Sequence, residues 1–91
     1  MPSKASQSFK IINKLGLHAR AAALFVKLSS RFESEIFVIK NKNRVNGKSI
    51  MGILMLAAAQ GSKITIEAIG VDAKIALEKL GQLVNQGFNE D

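Results

Sequence analysis

Cysteine, tryptophan and tyrosine are absent from the 91 residues, and histidine and proline occur once each. Without thiols there is no disulfide, no thiolate nucleophile and no Cys-based zinc or iron–sulfur site, which argues against a stapled secreted mini-protein and suits a reducing compartment. The lone histidine, His18, cannot furnish a three- or four-ligand metal site, and no acid lies nearer to it in sequence than Glu33. No serine and carboxylate are spaced as a hydrolytic triad around it. Neither a metal nor a cofactor is expected. No run approaches the roughly 18 apolar residues that span a bilayer, and the start MPSKASQSFK lacks the apolar centre of a signal peptide. A soluble cytoplasmic protein without membrane insertion is expected.

What is present fits one domain over residues 1–91, with residues 1–5 read as a flexible lead-in. Hydrophobic residues make up 47% of the chain, so Ile, Leu, Val, Ala and the 5 Phe must build the core. The net charge of +6 is uneven: residues 1–63 carry 11 Lys/Arg against Glu33 and Glu35, a balance of +9, and residues 64–91 stand at −3. Such a field steers nucleic acid, acidic proteins and phosphorylated partners alike. Nucleic acid is disfavoured because there is no Tyr or Trp to stack bases and no glycine-interleaved aromatic motif.

Ser8–Ile12 has strand composition and ends in the loop Asn13-Lys14-Leu15-Gly16. From His18 to about Arg31 the spacing of Ala22, Phe25, Val26 and Ser29 is helical. Ile36–Ile39 and Arg44–Asn46 form a hairpin around Lys40–Asn43. Ser49 stands where a helix cap belongs, and the helix it opens is expected to run through Ala57–Gln60 to a stop at Gly61. Ile64–Ile69 alternates as a half-buried strand. Ala73, Ala76, Leu77, Leu80 and Val84 mark a last helix with Asp72 in its first turn, ending at Asn85-Gln86-Gly87. The order βαββαβα implies an α/β two-layer, open-faced sandwich: a four-stranded antiparallel sheet covered on one face by three helices.

At the first position of its helix, His18 would lie beside the unpaired N–H groups of Ala19 to Ala22, a place that attracts anions. That field disfavours a further positive charge and leaves the neutral ring a lone pair for attack. The planar guanidinium of Arg20 is within reach of a group carried on the ring. These features describe a phosphoryl acceptor, but position alone fits equally a histidine that merely begins a helix.

The stretches GLHARAA (Gly16–Ala22) and NGKSIMGILMLAAAQGSKITI (Asn46–Ile66), with the element order, resemble the histidine-containing phosphocarrier (HPr) family of the bacterial phosphoenolpyruvate-dependent phosphotransferase system. The resemblance covers nearly the whole chain. It implies that His18 takes a phosphoryl group on Nδ1 from Enzyme I and passes it to an enzyme IIA-type acceptor in sugar transport or in the nitrogen-related branch. It further implies that Arg20 and the backbone of Ala19 and Arg20 hold the phosphate, and that the protein is a carrier, not an enzyme. Ala21 departs from the family pattern, which has proline there.

Ser49 reads first as a cap contributing roughly 1 kcal/mol. By resemblance, Lys48–Gly52 is a regulatory site for HPr kinase/phosphorylase, and an alternative reading is a regulatory paralogue that acts through Ser49 and protein binding. The following helix is apolar on every side, more than one buried face needs. Ile50, Met51 and Leu54 are therefore expected to offer partners an apolar patch with a basic rim from Lys27, Lys48 and Arg20. A monomer is expected.

Overall fold

The computed structural model describes residues 3–90. The elements are β1 (Ser3–Lys10), α1 (Ala19–Ser29), β2 (Glu35–Lys40), β3 (Asn43–Asn46), α2 (Ile50–Met55), β4 (Lys63–Gly70), α3 (Ala73–Asn85) and a 3₁₀ turn at Gly87–Asn89. The strands form one antiparallel sheet in the order β1-β4-β2-β3. This is the expected two-layer sandwich.

Period-two alternation sets the sheet's faces. Ile64, Ile66 and Ala68 of β4 and Ile36 and Val38 of β2 are buried beneath the helices. They meet Ala22 and Phe25 of α1, Ile53 of α2, and Ala76, Leu80 and Val84 of α3 in one core. Burying a side chain such as Phe25 or Leu80 stabilises the fold by about 1.5–3 kcal/mol. On the open face Glu67 receives Arg44 Nη2 at 2.6 Å and Lys4 Nζ at 3.2 Å, and the Arg44 guanidinium lies 3.5 Å from the Phe37 ring centroid. These contacts tie all four strands across the solvated side.

Several boundaries differ from expectation. Strand β1 begins at Ser3, whose partner is Gly70, so Ser3–Ala5 are not a flexible lead-in; residues 1 and 2 lie outside the described residues. The strand stops before Ile11, which leaves the ladder to exchange hydrogen bonds with Gly61 and Ser62. Helix α2 ends at Met55, well short of Gln60, because Ala57 adopts a left-handed conformation (φ +50) and Ala58 turns its carbonyl to Leu17 N–H at 2.9 Å. Asp72 is the N-cap of α3, one position before its first turn, and its carbonyl accepts Ala76 N–H at 2.9 Å, but its side chain makes no cap bond. Its carboxylate accepts the Ser34 hydroxyl and the amides of Glu33 and Ser34, joining α3 to the start of β2.

Candidate functional site

His18 is the N-cap of α1, one position earlier than expected, with extended backbone (φ −79, ψ −178). Its carbonyl accepts Ala22 N–H at 2.8 Å, which removes Ala22 from the free donors and leaves Ala19, Arg20 and Ala21 without a carbonyl one turn back. Helical spacing roots this terminus: Ala21, Ala22 and Phe25 are buried, whereas Ala19 and Arg20 face solvent.

The loop before His18 is held from two sides. Gly16 lies at φ +66, and a Cβ there would fall on the Ala58 carbonyl and within 2.9 Å of Ala59 Cα. Asn13 is buried, and its Nδ2 donates to Gly16 O at 2.8 Å. The same Nδ2 donates to Glu90 Oε1 at 2.8 Å, and Glu90 Oε2 bonds His18 Nε2. Asn13 first, then His18 and Arg20, hold the Glu90 carboxyl below its ordinary range, against a smaller opposing effect of burial. The acid nearest in sequence is Glu33, but the carboxylate on the ring comes from 72 residues away.

Glu90 reaches the ring through the turn that follows α3. Phe88 inserts into the core with 2% of its surface exposed, and both Phe88 and Asn89 take left-handed backbone (φ +56 and +60). A bulky residue is rarely found there, and the burial of Phe88 offsets the strain. The Arg20 side chain is largely exposed, with Nε 3.7 Å from Glu90 Oε2. Among the described residues His18 Nε2 is bonded to Glu90 and the other ring nitrogen has no hydrogen-bond partner, while the exposed Arg20 guanidinium stands at a helix terminus able to attract an anion.

A sequence profile described as the PTS HPr component phosphorylation site matches residues 5–86. The chain belongs to the HPr family of phosphocarriers. It is 55% identical over 84 residues to phosphocarrier protein HPr of Neisseria meningitidis, covering 92% of this chain and 94% of that protein. The HPr-like protein Crh of Bacillus subtilis is 45% identical over 80 residues, 88% of this chain and 94% of the relative. Among solved structures, HPr from Thermoanaerobacter tengcongensis superposes with a TM-score of 0.92 at 44% identity, covering 96% of this chain and 98% of that one.

The second sequence-marked position, Ser49, caps α2 by accepting Gly52 N–H at 3.0 Å. Beside it Ile50 and Met51 are exposed, as is Met55, which the sequence reading left out. Leu54 is half-buried against the core and contributes less to this patch than expected. Lys27 is exposed, but Lys48 is not a free rim charge, since its Nζ donates to Phe32 O at 2.7 Å. Nearer the histidine, exposed Leu15 and Leu24 line a groove with Lys14, Arg20 and Glu90. Asn13 and Glu90 were not legible as site residues because no local motif marks them. Ala21 is the third helical residue, where N–H has no intrahelical acceptor, so alanine adds a donor at this terminus that proline would lack.

Proposed function

We propose that the protein is a phosphocarrier whose His18 accepts a phosphoryl group on Nδ1 from phospho-Enzyme I and delivers it to an enzyme IIA-type acceptor. The observation that carries this reading is His18 at the N-cap of α1, with the amides of Ala19 and Arg20 free of helical partners. Phosphoryl transfer asks little covalent chemistry of a carrier; it needs a positioned nucleophile and compensation of charge. The free amides and the helix dipole compensate the phosphate, and Arg20, exposed and held only at 3.7 Å from Glu90, is free to turn onto it. The protein lowers no barrier by itself and is regenerated in each cycle.

Docking rests on the exposed Ile50 and Met51 with Met55, and Arg20 and Lys27 on α1, the helix packed against α2, supply the positive charge. A basic rim draws an acidic partner surface and speeds encounter. Ser49 is read as a regulatory site for HPr kinase/phosphorylase: phosphate there adds about −1.5 to −2 charges beside the docking patch and weakens binding to an acidic partner.

Incubated with phosphoenolpyruvate, Mg²⁺ and Enzyme I, the protein should gain one phosphoryl group that is lost in acid and absent in His18→Ala. Failure to accept phosphate from any bacterial Enzyme I would overturn the carrier reading.

A further inference from the structure

We propose that Met51 and Met55 form a reversible oxidation site, at which peroxide weakens the docking of partners while sparing the fold and the phosphoryl acceptor. The inference deepens the carrier reading and rests on α2 being a docking surface. Sulfur is scarce in this chain, with no cysteine and 3 methionines. Met1 lies outside the described residues; Met51 and Met55 both stand on α2, 68% and 78% exposed. Four residues apart in a helix, they are neighbours on one face. The buried hydrophobic core of the described residues is built from Ile, Leu, Val, Ala and Phe and contains no methionine.

This distribution confines the effect of an oxidant to one surface. Leucine or isoleucine would serve there as apolar contacts, but only a thioether is converted by peroxide into a polar, chiral sulfoxide. Methionine is also the flexible, polarisable choice for a face that meets several partners. The residues that hold the turn before His18, namely Asn13, Gly16, Ala58 and Glu90, carry no sulfur. Within α2 itself the Ser49 hydroxyl accepts Gly52 N–H and buried Ile53 seats the helix in the core, and neither contact involves a methionine. In a docked complex each sulfoxide oxygen would be carried into an apolar contact without a donor, which opposes association.

The oxidant is hydrogen peroxide. A sulfur lone pair attacks one peroxide oxygen, the S–O bond forms, and the O–O bond breaks with its electron pair. The departing hydroxide takes the proton of the transferred oxygen and leaves as water. Methionine is thus oxidised by two electrons to the sulfoxide, and peroxide is reduced to water. Reduction by a dithiol returns the two electrons, giving thioether, disulfide and water, so the site can be reset.

The test treats the whole protein with hydrogen peroxide and compares the wild type, the double variant Met51→Leu with Met55→Leu, and Met51→Asp. Circular dichroism first establishes that each is folded. Peptide mass mapping should place one added oxygen on Met51 and one on Met55. Phosphoramidate, a small phosphoryl donor that needs no docking surface, should label His18 at the same rate before and after oxidation. With phosphoenolpyruvate and Enzyme I, oxidation should raise the KM for the wild type by roughly 10- to 100-fold, the loss expected when one or two methionine side chains no longer gain from burial in a complex. Methionine sulfoxide reductases A and B with dithiothreitol should restore the original KM. The double leucine variant should show one KM with and without peroxide. Methionines left unoxidised, an equal rise in the double leucine variant, or slower phosphoramidate labelling after oxidation would each overturn the proposal. An unchanged KM in the oxidised wild type, with a raised KM in Met51→Asp, would overturn it and leave α2 as the docking surface. An unchanged KM in both would overturn the docking reading and the proposal together.

Discussion

Replacing Gly16 by alanine separates two physical costs at the turn that delivers His18. Gly16 has φ +66, a conformation that costs an L-residue about 1–2 kcal/mol. Its new Cβ would also meet the backbone of Ala58 and Ala59, and no side-chain rotation relieves that; such overpacking costs about 1–3 kcal/mol. Gly61 provides the control, because its φ is +90 but nothing lies within 4 Å of a Cβ built there. Gly16→Ala should therefore lose about 2–5 kcal/mol and Gly61→Ala only about 1–2 kcal/mol. With a urea slope of about 1–3 kcal/mol per molar for a small domain, the midpoint should fall by roughly 1–3 M for Gly16→Ala and by about 1 M or less for Gly61→Ala. Urea unfolding followed by far-ultraviolet circular dichroism reads both. The Gly16 carbonyl also accepts from Asn13 Nδ2, and Gly16 precedes the Leu17–Ala58 hydrogen bond, so Gly16→Ala should slow phosphoryl transfer while Gly61→Ala leaves it unchanged. Equal losses in the two variants would refute the role given to the Ala58 contact.

Ser49→Ala removes the oxygen that accepts Gly52 N–H and should cost about 1 kcal/mol in urea unfolding without changing phosphoramidate labelling of His18. Labelling by ATP and HPr kinase/phosphorylase should vanish in the same variant; undiminished labelling would remove Ser49 from regulation. For Asp72, the Ser34 hydroxyl and then the Glu33 amide, with a further amide bond from Ser34, hold the carboxyl below its ordinary value of 3.8. Because the folded value lies below the unfolded one, its contribution is complete above 3.8 and is lost as pH falls through the folded value. Asp72→Asn should accordingly lower the urea midpoint near neutral pH and match the wild type in strong acid, and an equal deficit at both would contradict the assignment.

Much of the fold was legible because it follows from nearest-neighbour periodicity. Ile64, Ile66 and Ala68 alternate, Ala22, Phe25 and Ser29 recur at helical spacing, and all are buried. Element ends were less legible. Ala57-Ala58-Ala59 is a good helical sequence by propensity, yet the chain leaves the helix there to give Ala58 O to Leu17 N–H, a tertiary bond that propensity does not contain. Strand β1 starts earlier than its apolar residues suggest because Ser3 and Lys4 take their partners from Gly70 and Ile69 at the far end of β4. From the sequence Lys48 is a surface charge, and only the folded chain brings the Phe32 carbonyl to its amine.

For the site, local sequence determined the histidine at the head of a helix, the arginine two residues on and the serine that caps α2, because each depends on a few adjacent backbone groups. Local sequence also determined the βαββαβα order. Tertiary structure decided which nitrogen of His18 is left free. That depends on Glu90, 72 residues away, on Asn13 held against Gly16, and on Phe88 seated in the core through a left-handed turn. Periodicity reports which face of an element is buried; it carries no record of which distant carboxylate closure of the chain will set beside a ring.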